Sequence, residues 1–104
     1  MDADFVKIMR AKGERVIDRD GNDIGKVTQV ASEPWTLTPG WLVVKTSVFG
    51  GSRLVPIEGA FDDGEVVHVP FSKGTVMTAP VPAVAIAPAA SESTALDEHY
   101  RRAA

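Results

Sequence analysis

The stretch Arg15 to Val30, RVIDRDGNDIGKVTQV, decides the fold. The β-branched pair Val16-Ile17 and the run Ile24 to Val30 flank a polar cluster, Asp18-Arg19-Asp20-Gly21-Asn22-Asp23, which is what a hairpin connection requires. Asp20-Gly21 marks the turn, because glycine, and less readily Asn22, takes the positive φ that tight hairpin turns impose. In the second arm Ile24, Val27 and Val30 recur at a helical spacing. Gly25 and the β-branched Val27, Thr28 and Val30 weaken a helix, and a bulge beside Gly25 shifts the alternation, so a strand is expected.

Downstream of this hairpin the same grammar repeats. Pro39-Gly40 launches a strand from Trp41 to Thr46 with apolar residues on both faces, as in a small closed sheet. Phe49-Gly50-Gly51-Ser52 is a turn, and Arg53 to Phe61 is a strand that Pro56 places at an edge or a bulge, since proline donates nothing to a ladder. Asp62-Asp63-Gly64 signals a second hairpin. It leads into Glu65 to Ser72, where Val67, Val69 and Phe71 share one face and Val66, His68 and Pro70 the other. Thr75 to Thr78 reads as a last short strand with Val76 directed inward.

The flanks differ in composition. Asp4 to Lys12 spaces Phe5, Ile8 and Met9 as a short helix would, with Gly13 as its stop. From Ala79 to Ala90 the chain uses only Ala, Pro, Val and Ile, the composition of a polyproline-like strap or linker. Ser91 to Arg102 follows as a short helix, with Thr94 as a cap and with Leu96 and Tyr100 on one face. The expected organisation is a lead-in at 1–12, a barrel-like domain at 13–80, and a strap with a terminal helix at 81–104.

Composition excludes several classes of function. Hydrophobic residues are 44% and charged residues 24% of the 104, so one folded domain with a modest core is expected. A net charge of −3 lacks the broad basic footprint that DNA binding needs, and disfavours RNA or the ribosome as a partner. Lys7, Arg10, Lys12 and Arg15 form the single local basic run, with no aromatic residue interleaved. The absence of cysteine removes disulfides and thiolate metal sites, and fits a cytoplasmic setting. The apolar tract from Ala79 falls short of the ~20 residues of a spanning helix, and the N-terminus lacks the pattern of a signal peptide.

No reactive constellation emerges either, so no enzyme, cofactor or metal is expected. His68 and His99 lie far apart and in no ligand spacing. Asp18, Asp20 and Asp23 lack the full series and the closing glutamate of a calcium loop, and are expected to be solvated turn carboxylates, as are Asp62, Asp63 and Glu65. Ser47, Ser52 and Ser72 stand in no nucleophile motif, and Gly50-Gly51 in no phosphate loop. The aromatic and apolar residues Trp35, Trp41, Phe49, Leu96 and Tyr100 are the candidate protein interface, because rings in polar surroundings supply contact area at low entropic cost. For Trp41, at a strand start, the core is the competing assignment, and Trp35 serves equally as a lid over one end of a barrel.

Three segments together carry a family resemblance: VIDRDGNDIGKV, then WLVVKTSVFGGSRLVPIEGAF, then DDGEVVHVPFSKGTVMTAP, with a late DEHY. They resemble the PRC-barrel domain, the type found in the cytoplasmic part of the photosynthetic reaction centre H subunit and in the C-terminal half of the ribosome maturation factor RimM. The resemblance spans roughly residues 13 to 80 and rests on turn and core signatures. It implies an all-β fold, a small antiparallel β-barrel of about six strands with short terminal helices, used as a protein-binding module without a catalytic centre. The expected function is therefore non-enzymatic protein–protein association, with a homodimer as the expected assembly. A role accessory to electron transport, or a ribosome-associated role, is the alternative that the two founding members imply.

Overall fold

β1 (Arg15–Ile17) and β2 (Asp23–Ser32) pair antiparallel around a turn in which Gly21 sits at φ +89°, a conformation open to glycine at no steric cost. The computed structural model describes residues 7–32, 39–46, 51–84 and 87–103. Val16 faces Gly25 and the next pair is Ile17 with Asp23, so Ile24 is the extra residue of a bulge, beside Gly25 as the spacing implied. Gly25 has its own reason to be glycine: a Cβ there would fall on the carbonyl oxygen of Lys45 in the neighbouring strand. The bulge lets both Ile24 and Val27 face the core in spite of their separation.

β3 (Pro39–Lys45) pairs with β2, and β4 (Ser52–Pro56) pairs with β3, both antiparallel. β4 stops at Pro56 on the sheet edge, as the missing amide donor requires. β5 (Phe61–Asp62) and β6 (Val66–His68) form the second hairpin, with Gly64 at φ +100° in its turn. β6 then lies beside β1 in parallel, Val16 opposite Val67. The sheet is therefore mixed rather than wholly antiparallel, in the order β4-β3-β2-β1-β6-β5. The pair is parallel because the chain reverses four times between β1 and β6, three times from β1 to β4 and once in the second hairpin, and an even number of reversals restores the direction of β1.

The sheet curls. Residues 57–60 alone join β4 to β5, five Cα steps that span at most about 19 Å. In a flat sheet the two outermost strands would stand five spacings apart, about 24 Å. The edges must approach each other, although no ladder joins them among the described residues. Curling encloses one face of the strand only, so the burial of four consecutive residues, Trp41 to Val44, requires cover on the other face as well, and the Tyr100 ring lies 6.5 Å from Trp41.

Two helices follow the sheet among the described residues. Where a last strand is expected, residues 73–77 form the helix α1 (Lys73–Met77). Its first turn is capped twice, by Ser72 Oγ accepting from the Thr75 N–H at 3.2 Å and by Asp18 Oδ2 accepting from the Lys73 N–H at 2.7 Å. These caps outweigh the β-preference of Thr75 and Val76, while Val76 still points inward. The strap holds Ala79 and Pro82 against the body, and α2 (Ala90–Ala103) follows. Thr94 is not its cap. Glu92, in its first turn, reaches back to the N–H groups of Ala89 and Ala83, both at 2.8 Å, so the helix starts before Thr94, whose hydroxyl donates to the Ala90 carbonyl. At the N-terminus, Lys7 to Met9 are helical and Ile8 is buried in the core, while Asp4 and Phe5 lie outside the described residues. Among the described residues no helix is long and apolar enough to cross a membrane.

Candidate functional site

Of the five residues singled out as an interface, Trp35 and Phe49 lie outside the described residues. Trp41, Leu96 and Tyr100 are all buried. They meet beneath α2: the Tyr100 ring lies 6.5 Å from Trp41 and 4.7 Å from Phe71, and its hydroxyl donates to the Leu54 carbonyl at 2.5 Å. That bond satisfies a backbone acceptor of the edge strand β4 and ties α2 to its own sheet. Burial pushes the Tyr100 hydroxyl well above its usual value, with Arg53 opposing, so it stays a donor. The indole Nε1 of Trp41 is buried with no partner among the described residues.

The carboxylates divide into groups that the sequence did not separate. Asp18 is only 3% exposed and is not a solvated turn residue. Its Oδ1 accepts from the Asp20 and Asn22 N–H groups at 2.9 and 2.7 Å, and its Oδ2 from the Asn22 amide at 3.2 Å and the Lys73 N–H at 2.7 Å. Burial pushes its carboxyl up, and the donors at Asn22, Lys73 and Asp20 together outweigh burial, so Asp18 ionises below the usual Asp range. With both oxygens engaged, it has no lone pair aimed at a cation. Asp23 is exposed and pairs with Arg15 at 2.8 Å, and Asp20 is exposed. Asp62 is buried, and it faces Glu14, whose carboxyl is pushed up to about 7, first by the hydrogen bond to Asp62, then by burial and by repulsion from Asp62 and Asp63.

The surface feature that composition missed sits on the second hairpin. The cross-strand pair Phe61 and His68 stacks, centroids 4.7 Å apart and planes at 17°, and Phe61 remains 49% exposed. His68 Nε2 lies 2.7 Å from Asp63 Oδ2. Asp63 Oδ1 accepts from the Glu65 and Val66 N–H groups, both at 2.9 Å, and these donors with His68 hold the carboxyl far below its ordinary range. An ionised carboxylate only accepts, so the hydrogen of this bond belongs to Nε2. The ring is thus fixed in orientation by a side chain that the turn itself fixes. The register follows once the turn is centred on Gly64-Glu65, one residue later than Asp62-Asp63-Gly64 suggests: counting outward from that pair sets Asp62 opposite Val67 and Phe61 opposite His68.

Neither protein-family models nor curated proteins match the chain. The remaining candidates are simply placed. His99 donates from Nε2 to the Thr75 carbonyl at 2.7 Å and tethers α2 to α1. Ser72 is a helix cap, Ser52 opens β4, and Ser47 and Gly50 lie outside the described residues. Lys7, Arg10, Lys12 and Arg15 are exposed. Among the described residues no three His, Asp or Glu side chains gather as a metal site. Two open clefts flank α2, of about 340 Å³ beside Tyr100 and Pro56 and about 480 Å³ beside His99 and Pro80.

Proposed function

We propose that the chain is a PRC-barrel-type assembly module of the cytoplasm that acts without catalysis, by association, and that its first partner is a second copy of itself. The curled six-stranded sheet with its short connection from edge to edge supports the barrel reading. The observation that carries the association is the strap. Val81 and Val84 are 56% and 55% exposed, and Met77 just before them is also exposed, while Ala79 and Pro82 of the same run face the body. One side of the strap is thus held and the other is apolar and open to water.

A second copy suits this surface because residues 79–84 carry no charge, so two straps facing each other across a twofold axis bury no ion. The net charge of −3 offers little repulsion. Sedimentation equilibrium across rising concentration tests the proposal: the mass should reach twice 11.1 kDa, and the double variant V81D/V84D should stay at the chain mass while keeping its circular dichroism. A wild-type protein that remains a strict monomer at high concentration overturns it.

A further inference from the structure

The stacked pair Phe61 and His68 lines a surface cleft of about 310 Å³ together with Gly59, Val69, Pro70, Asp18 and Arg19. From this juxtaposition of a stacked aromatic wall and an exposed guanidinium we infer that the cleft binds a small planar aromatic anion, of the class a nucleoside monophosphate represents. The inference stands apart from the strap and from association through it.

Each wall contributes something a ring-shaped anion uses. Phe61 is a large apolar side chain left half exposed, on an element only two residues long, and stacking a planar ligand against it removes apolar area from water. Its partner His68 is held by Asp63, so that half of the stacked pair is ordered before a ligand arrives. Gly59, at φ +81°, brings its turn so close to Pro70 that an added Cβ would stand 3.0 Å from the proline Cγ, which keeps this side of the cleft narrow. The volume lies at the lower end of small-molecule sites and suits one ring system with a single substituent.

The charge comes from Arg19. Its backbone N–H bonds to the Phe71 carbonyl at 3.3 Å, which pins the residue beside the cleft, while its guanidinium is over half exposed and, among the described residues, its ion pair is the long one to the exposed Asp20, at 3.9 Å. The neighbouring carboxylate, Asp18, is saturated by four donors and is not available to pair with it. A guanidinium beside an aromatic wall takes a planar or phosphoryl anion with two donors at once.

The test is a titration of the full chain with adenosine monophosphate, followed by amide shifts in two-dimensional nitrogen–proton NMR, with adenosine and inorganic phosphate as separate arms. Saturable shifts should centre on Arg19, Gly59, Phe61 and His68, with either half of the ligand binding about ten-fold more weakly than the whole. Phe61→Ala and Arg19→Gln both alter exposed side chains. Each should weaken binding about ten-fold with the remaining spectrum unchanged. Shifts that do not saturate, or that centre elsewhere, overturn the inference. So does phosphate or adenosine alone matching the whole ligand, or either variant binding as tightly as the wild type.

Discussion

Asp18 gives its two oxygens to four donors drawn from two distant places, the turn at Asp20 to Asn22 and the first residue of α1. A carboxylate can serve four N–H groups because it accepts through both oxygens and donates through neither, which no neutral side chain reproduces. Asp18→Asn keeps the shape and keeps one acceptor, but sets an NH₂ group against N–H donors. The expected loss is about 3 kcal/mol by urea unfolding, from the charge-assisted bonds removed. Because the folded Asp18 ionises below its unfolded value of 3.8, the wild type should keep this contribution above that value and lose it as pH falls further, whereas the variant should show a flatter acid limb. Equal stability of the two proteins at neutral pH would remove Asp18 from this role.

At the scale of elements, both hairpins were legible because their turns are written locally, in Gly21 and Gly64. So was the grouping of Val67, Val69 and Phe71 on one face and of Leu96 and Tyr100 on another, although Leu96 and Tyr100, expected at an interface, are buried. What stayed hidden depends on partners remote in sequence. α1 is a helix partly because Asp18 caps it from 55 residues away, and the parallel pairing of β1 with β6 has no local signature at all. Whether the aromatic residues face outward was equally unreadable, since the acceptor that holds Tyr100 inside lies 46 residues earlier. A helix the length of α2 is marginal alone, so its order derives from what it covers. Tyr100→Phe should cost about 1–2 kcal/mol by orphaning the Leu54 carbonyl, and Leu96→Ala about 2–4 kcal/mol through lost burial and the cavity left. Hydrogen exchange should quicken in α2 and β4 together in both variants; faster exchange in α2 alone would mean that the Tyr100 bond does not couple the helix to β4.

For the whole molecule, the pair formed by Glu14 and Asp62 ties stability to pH across the neutral range. Glu14 stands two residues before Val16, and β1 runs beside β6, whose other neighbour β5 carries Asp62, so three strands bring the two carboxyl groups to one end of the sheet with Asp63 beside them. Two carboxyl groups this close are stable with one shared proton and repel once it leaves. Folding raises the Glu14 value from 4.5 to about 7, so the folded chain holds the proton more tightly than the unfolded one. The stabilisation is complete below 4.5 and is lost as pH rises through 7, the reverse of the acid-side behaviour of Asp18 and Asp63, which are fully ionised in this window and add a constant. The melting temperature should therefore fall between pH 5 and pH 8. Glu14→Gln keeps a donor to Asp62 and has no proton to lose, so its melting temperature should vary less over that interval and exceed that of the wild type at pH 8. A variant that melts with the same slope as the wild type would show that the proton is held elsewhere.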